Sequence, residues 1–150
     1  VLRDVSDATL VVIGDGPEHG ALTALTKPLG ERVRLIARQP LERVPLFMAA
    51  ADTLVLPSRF EGTPNVVLES LACGRRVVAT TVGGVPDLIT NPALGVLVPP
   101  ADPDALATAI ASALRTPYDP IEVARLGARG GWAASASALH AVLVDAAKVR

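Results

Sequence analysis

The sequence predicts an α/β fold: a Rossmann-like, doubly wound parallel sheet of about five strands with helices on both faces, followed by C-terminal helices. Three observations carry this expectation. Short apolar runs alternate strictly with longer helical patterns. The runs are rich in Val, Leu and Ile and show little polar alternation, and the strand-to-helix junctions repeat one glycine–proline design. Such runs mark strands buried on both faces, as in a parallel sheet. Their alternation with helices implies right-handed βαβ units.

Taken in order, strands are expected at residues 9–14 (TLVVIG), 32–37 (RVRLIA), 52–57 (DTLVLP), 76–80 (RVVAT) and 95–98 (GVLV). The opening VLRDVSDATL reads as the tail of a helix leading into the first strand, so a piece of a larger protein is expected. Leu22, Leu25 and Leu29 fall at i, i+3 and i+7 and predict a buried helical stripe. Leu106, Ile110 and Leu114, at i, i+4 and i+8, predict another. Phe47 and Met48 lie in a helical apolar run and read as core. Beyond residue 115 the pattern is helical only. After the RTPYDP break at 115–120, helices are expected at 118–128 and 132–149. The expected division is an N-terminally incomplete Rossmann-like domain at 1–115, with 116–150 forming helices that pack on it or on a further domain.

A chain of 150 residues is long enough to bury a substantial core. Half of its residues are hydrophobic and very few are aromatic, which argues against disorder. With 14 basic and 15 acidic residues it carries no electrostatic footprint for nucleic acid. The single Cys73 excludes an internal disulfide framework and a Cys-built zinc site, and reads as a small buried hydrophobe. His19 and His140 stand too far apart in sequence to suggest a metal cluster, so no metal is expected. No signal peptide opens the chain and no apolar run is long enough for a bilayer. The expected compartment is the cytoplasm.

The most informative regularity lies at three junctions: GDGP (14–17), EGTP (61–64) and GGVP (83–86). Each places glycine after a strand and proline where a helix is expected to begin. Proline suits the first helical position because its missing N–H would have no partner there, and glycine lets the chain turn and a ligand approach. In a parallel sheet all three junctions share the edge where ligands bind. Free N–H groups and the positive helix end favour phosphate there. A Walker signature is absent, and GDGPEHG has its third glycine, Gly20, one position too late for G-x-G-x-x-G. A nicotinamide or flavin cofactor is therefore disfavoured. Asp52, at the start of a strand, is misplaced for a phosphoacceptor.

RFEGTPNVVLESLACG, residues 59–74, adds two carboxylates. Thr63 is the expected N-cap and Pro64 the first helical residue, leaving Asn65 and Val66 with free N–H groups. Glu69 lies at i+4 from Asn65, and helical side chains lean toward the N-terminus. Glu69 can therefore reach back to the helix start, while Glu61 stands in the loop before it. The pair could accept hydrogen bonds from sugar or ribose hydroxyls beside a bound phosphate. The residues alone leave open the alternative of a solvated Glu61 and a Glu69 that simply suits the first half of a helix.

LVVIGDGPE, VPLFMAAADTLVLPS, EGTPNVVLESLACG, VVATTVGGVPDLI and GVLVPPADPDALATAI, in this order, resemble the C-terminal domain of family-4 (group 1) glycosyltransferases of the two-domain GT-B fold. The most specific part is Glu61, seven residues, Glu69. The resemblance implies the donor-binding domain of a retaining glycosyltransferase that uses a nucleotide diphosphate sugar as substrate, without cofactor or metal. It carries Glu61 to the donor sugar as the catalytic-site residue and Glu69 to the ribose. Gly62, Thr63, Asn65 and Val66 would approach the sugar or diphosphate, with Gly14 and Gly16 forming a floor under it. Ala37 and Arg38 would hold the base.

The resemblance further implies a glycan or glycolipid acceptor that binds an N-terminal domain not in this sequence, and peripheral association with the inner membrane face. The family's first strand of this domain and its diphosphate-gripping Arg–Lys pair are not in the sequence either, so an isolated fragment is expected to be inactive. Ala37, Asp87 and Arg76 stand where the family more often has Gly, Glu and Pro. GGWAASASAL keeps only Trp132 of the family's Phe-Ser-Trp-Glu segment, and Trp132 is expected to anchor packing. Two alternatives remain: a nucleotide- or nucleotide-sugar-binding module without chemistry, and a GT-B sugar-nucleotide epimerase.

Overall fold

The computed structural model describes residues 5–128 and 130–148, without the side chains of Gly131, Trp132 and Ala146. The expectation for Trp132, and most of the expected N-terminal helix tail, therefore lie outside the described residues. All five expected strands form: β1 (Leu10–Ile13), β2 (Val33–Ile36), β3 (Thr53–Leu56), β4 (Arg76–Thr80) and β5 (Gly95–Val98). Among the described residues seven α-helices accompany them: α1 (His19–Thr26), α2 (Val44–Ala50), α3 (Asn65–Ala72), α4 (Val85–Leu88), α5 (Pro103–Arg115), α6 (Pro120–Gly127) and α7 (Gly131–Lys148).

Every strand pairing is parallel, as uninterrupted Val/Leu/Ile runs require. β4 lies between β3 and β5, with Val78 opposite Val55 and Val96. Both of its faces are covered. Val77 and Ala79 belong to a cluster with Val67 and Leu71 of α3, Val85 and Leu88 of α4, and Val123 of α6. Val78 joins Val98 and Ala109, with Leu106 and Ile110 of α5 packed around them. The two-residue period of the strand thus sends alternate side chains to helices on opposite sides.

The strands do not form one continuous sheet. Among the described residues β1 pairs only with β2, and β3–β4–β5 stands as a second sheet. Two and three strands are the numbers that the doubly wound order 3-2-1-4-5-6 places on either side of its first strand, and the numbers found here in β1–β2 and β3–β4–β5. The consequence is visible in burial. Leu10, Val11 and Val12 are 36–43% exposed, whereas Val77 and Val78 are fully buried. The expected stripe of α1 is also uncovered: no residue of that helix is buried, and Leu25 is 73% exposed. The periodicity does mark a helix, but Leu29 falls in the 3-10 turn Lys27–Arg32 that follows it, and Leu22, Leu25 and Leu29 are all exposed.

The second helical stripe behaves as expected, with Leu106, Ile110 and Leu114 half-buried. The start of α5 is fixed by Asp102, whose carboxylate accepts from the Ala105 N–H at 2.9 Å, with Pro103 in the first turn. α6 is capped by Asp119 in the same manner and packs on α3, while the Tyr118 hydroxyl donates to the Asp52 carbonyl. The described side chains of α7 are exposed throughout.

Candidate functional site

The EGTP and GGVP junctions meet at the carboxyl ends of β3 and β4. Ser58, just past β3, donates its hydroxyl to Glu61 Oε1 at 2.6 Å. Thr80, the buried last residue of β4, donates to the Ser58 carbonyl. The Gly84 N–H donates to the Gly62 carbonyl at 2.7 Å. Glycine is required here by space as well as by conformation. A Cβ on Gly83, whose φ is +52°, would lie 1.9 Å from the Glu61 carbonyl oxygen, and one on Gly84 would lie 2.9 Å from that of Gly62. The two junctions thus behave as one backbone unit with Glu61 half-buried at its edge.

From this unit α3 departs one residue later than the sequence suggested. Pro64, buried and extended with ψ 113°, takes the N-cap position expected for Thr63, and Asn65 is the first helical residue. Proline's fixed φ is compatible with either position, so its presence locates a helix start only to within a residue. The N–H groups of Asn65 and Val66 precede the first internal bond of the turn, from the Val67 N–H to the Pro64 carbonyl. Both point out of the helix start and are available to an anion. Glu69, one turn on, is exposed, and among the described residues its carboxylate has no partner.

The other junctions depart from the expected proline placement too. Pro17 precedes α1, which begins at His19 with Glu18 at the N-cap, and Pro86 is the second residue of the short α4. At the ends of β1 and β2 the Gly14 N–H donates to the Ile36 carbonyl, and Asp15 accepts from the Arg38 N–H at 3.2 Å. Gly14 has φ +135°, and the Cβ positions of Gly14, Gly16 and Gly62 all open onto free space.

A cavity of about 280 Å³ lies beside Gly14, lined by Ile13, Arg38, Gln39, Leu41 and Val44. Its lining mixes the apolar Ile13, Leu41 and Val44 with the polar Arg38 and Gln39. Ala37 is exposed and offers its carbonyl to the Gln39 amide. A larger cavity, about 560 Å³, runs along α5 and includes none of these residues.

The predicted site residues therefore fall into two clusters. Glu61, Gly62, Thr63, Asn65, Val66 and Glu69 gather at α3, and Gly14, Gly16, Ala37 and Arg38 gather at the ends of β1 and β2. The hydrogen bonds named above stay within each cluster. Sequence reasoning missed Gln39, Leu41 and Val44 of the cavity lining, of which only Gln39 directly follows Ala37–Arg38. It also missed Ser58 and the Thr80 and Gly83–Gly84 contacts, which join segments more than twenty residues apart.

Cys73 is half-buried rather than buried, with its Sγ 3.9 Å from the Pro45 carbonyl, and His19 and His140 are exposed. Among the described residues no group of three or more His, Cys, Asp or Glu could hold a metal ion, and no helix is long and apolar enough to cross a membrane.

The fold is that of a doubly wound α/β domain, with the candidate site at the carboxyl ends of its strands. The sequence pattern of the Glycosyl transferases group 1 family matches residues 1–116, and the chain belongs to that family. It is 34% identical over 131 residues to a GDP-mannose-dependent monoacylated alpha-(1-6)-phosphatidylinositol monomannoside mannosyltransferase of Corynebacterium glutamicum, covering 83% of this chain and 33% of that protein. A D-inositol 3-phosphate glycosyltransferase of Corynebacterium diphtheriae is 34% identical over 158 residues, covering 97% and 36%. Among solved structures, sucrose-phosphate synthase from Thermosynechococcus elongatus superimposes with a TM-score of 0.72 at 28% identity, covering 95% of this chain and 39% of that one. The chain spans about a third of the length of the curated relatives it matches.

Proposed function

We propose that this chain is the donor-binding domain of a retaining glycosyltransferase that moves a sugar from a nucleoside diphosphate sugar to a glycan or glycolipid acceptor. The observation that carries the reading is the pair Glu61 and Glu69 on either side of the open N-terminus of α3. In this reading the free N–H groups of Asn65 and Val66, together with Gly62 and Thr63, face the sugar and diphosphate. Glu61 accepts from donor-sugar hydroxyls and Glu69 from the ribose. Gly14 and Gly16 give the diphosphate room, and the base enters the cavity beside Ala37 and Arg38.

Negative charge builds on the leaving diphosphate as the anomeric bond breaks. A fixed helix end aimed at that charge stabilises the transition state more than the ground state. Neither glutamate is asked to move a proton, and front-face attack gives retention. The leaving group is held by helix dipole and N–H donors, without a metal. The acceptor is assigned to the part of the protein represented in the remaining length of its relatives, and the reaction to the cytoplasm or the inner membrane face.

Calorimetry of this chain against UDP, GDP and ADP and their sugars tests the reading. One nucleotide should bind with an affinity on the order of millimolar, and Glu69→Ala should weaken it roughly 10- to 100-fold through loss of a charge-assisted hydrogen bond. Equal binding by wild type and variant would contradict the ribose role.

A further inference from the structure

Resting on that reading, we infer that Ser58 is a positioning residue that fixes the donor-facing carboxylate of Glu61, and that Thr80 holds Ser58 in place. The loop between β3 and α3 has no regular structure, and Arg59, Phe60, Gly62 and Thr63 in it are exposed. A glutamate in such a loop would sample several rotamers. Here one carboxylate oxygen, Oε1, is taken by the Ser58 hydroxyl at 2.6 Å in a part-buried contact. A charged acceptor makes this a strong hydrogen bond, and it restrains where that oxygen sits. Oε2 and the remaining lone pairs stay available to hydroxyls of a ligand.

Ser58 is itself restrained. Its carbonyl accepts from the hydroxyl of Thr80, which is 3% exposed at the end of the central strand of its sheet. The chain Thr80–Ser58–Glu61 runs from the buried sheet outward to the site. On the far side of Glu61 the backbone is closed in by Gly83 and Gly84. Side chain and main chain of Glu61 are therefore held from two directions, an arrangement that lowers the ordering cost of binding.

The test uses Ser58→Ala and Ser58→Thr with the pairs UDP and UDP-glucose, GDP and GDP-mannose, ADP and ADP-glucose. For the pair that the wild type binds, Ser58→Ala should weaken the diphosphate sugar about 10-fold. The nucleoside diphosphate alone should stay within about twofold, since the Ser58 hydroxyl, which the substitution removes, bonds the sugar-facing carboxylate. Ser58→Thr, which keeps the hydroxyl, should restore the difference. An unchanged Ser58→Ala, or an equal loss on both members of the pair, overturns the role. If the wild type binds no pair, the donor-domain reading fails. The restraint itself is then judged by side-chain couplings of Glu61 in NMR. One fixed rotamer in the wild type and averaging in Ser58→Ala support it, and identical couplings overturn it.

Discussion

Gly83 and Gly16 separate the two demands that glycine meets in this site. Gly83 has φ +52° and no space for a Cβ against the Glu61 carbonyl, whereas Gly16 opens onto free space. Gly83→Ala should destabilise the chain by at least about 1 kcal/mol from the left-handed backbone alone, with a further cost from displacing the Glu61 loop. Gly16→Ala should leave stability within about 0.5 kcal/mol, yet weaken nucleotide binding if a diphosphate lies against it. Urea unfolding and calorimetry on the two variants check both halves, and equal stability of the two would remove the argument for a tight Gly83 contact. The sequence showed all of these glycines as turn residues. It could not show which of them carries another backbone on its face, because Gly83 and Glu61 are brought together only by the pairing of β3 with β4.

Among elements, α3 is the one on which fold and site converge. Its inner face is fully buried through Val67 and Leu71, and its start carries the open N–H groups. Leu71→Ala should cost about 2–5 kcal/mol in chemical denaturation, because α6 and β4 pack against the same cluster and cannot collapse into the space. Leu25→Ala on α1, already 73% exposed, should change stability by less than about 0.5 kcal/mol. Helical spacing of apolar residues marks both α1 and α5 in the sequence, and among the described residues only the stripe of α5 is half-buried. Periodicity reports which face of a helix is apolar, and it is silent on what covers that face. Helix type and order were legible for this reason. The starts of α1 and α3 slipped by one or two residues because proline fits several positions of a first turn.

At the scale of the whole molecule, the division into two parallel sheets decides how the chain should open. β4 is covered on both faces and paired on both edges, while β1 has one partner strand and apolar residues more than a third exposed. Native-state amide exchange should therefore show Val77 to Thr80 protected to the global unfolding free energy. The β1–β2 unit should exchange through a cheaper, separate opening. The five strands were legible from their buried composition, but the division between sheets was not, because strand runs carry no information about which neighbour lies alongside. The division also sets the central question about function, since the two clusters of site residues belong to different sheets.

The most direct measurement is amide NMR of the chain titrated with whichever of UDP, GDP or ADP binds best. The proposed donor site predicts saturable shifts, with one dissociation constant, at Gly14, Gly16 and Arg38 together with Gly62, Asn65, Val66 and Glu69. Shifts confined to one cluster, or located along α5 instead, would contradict it.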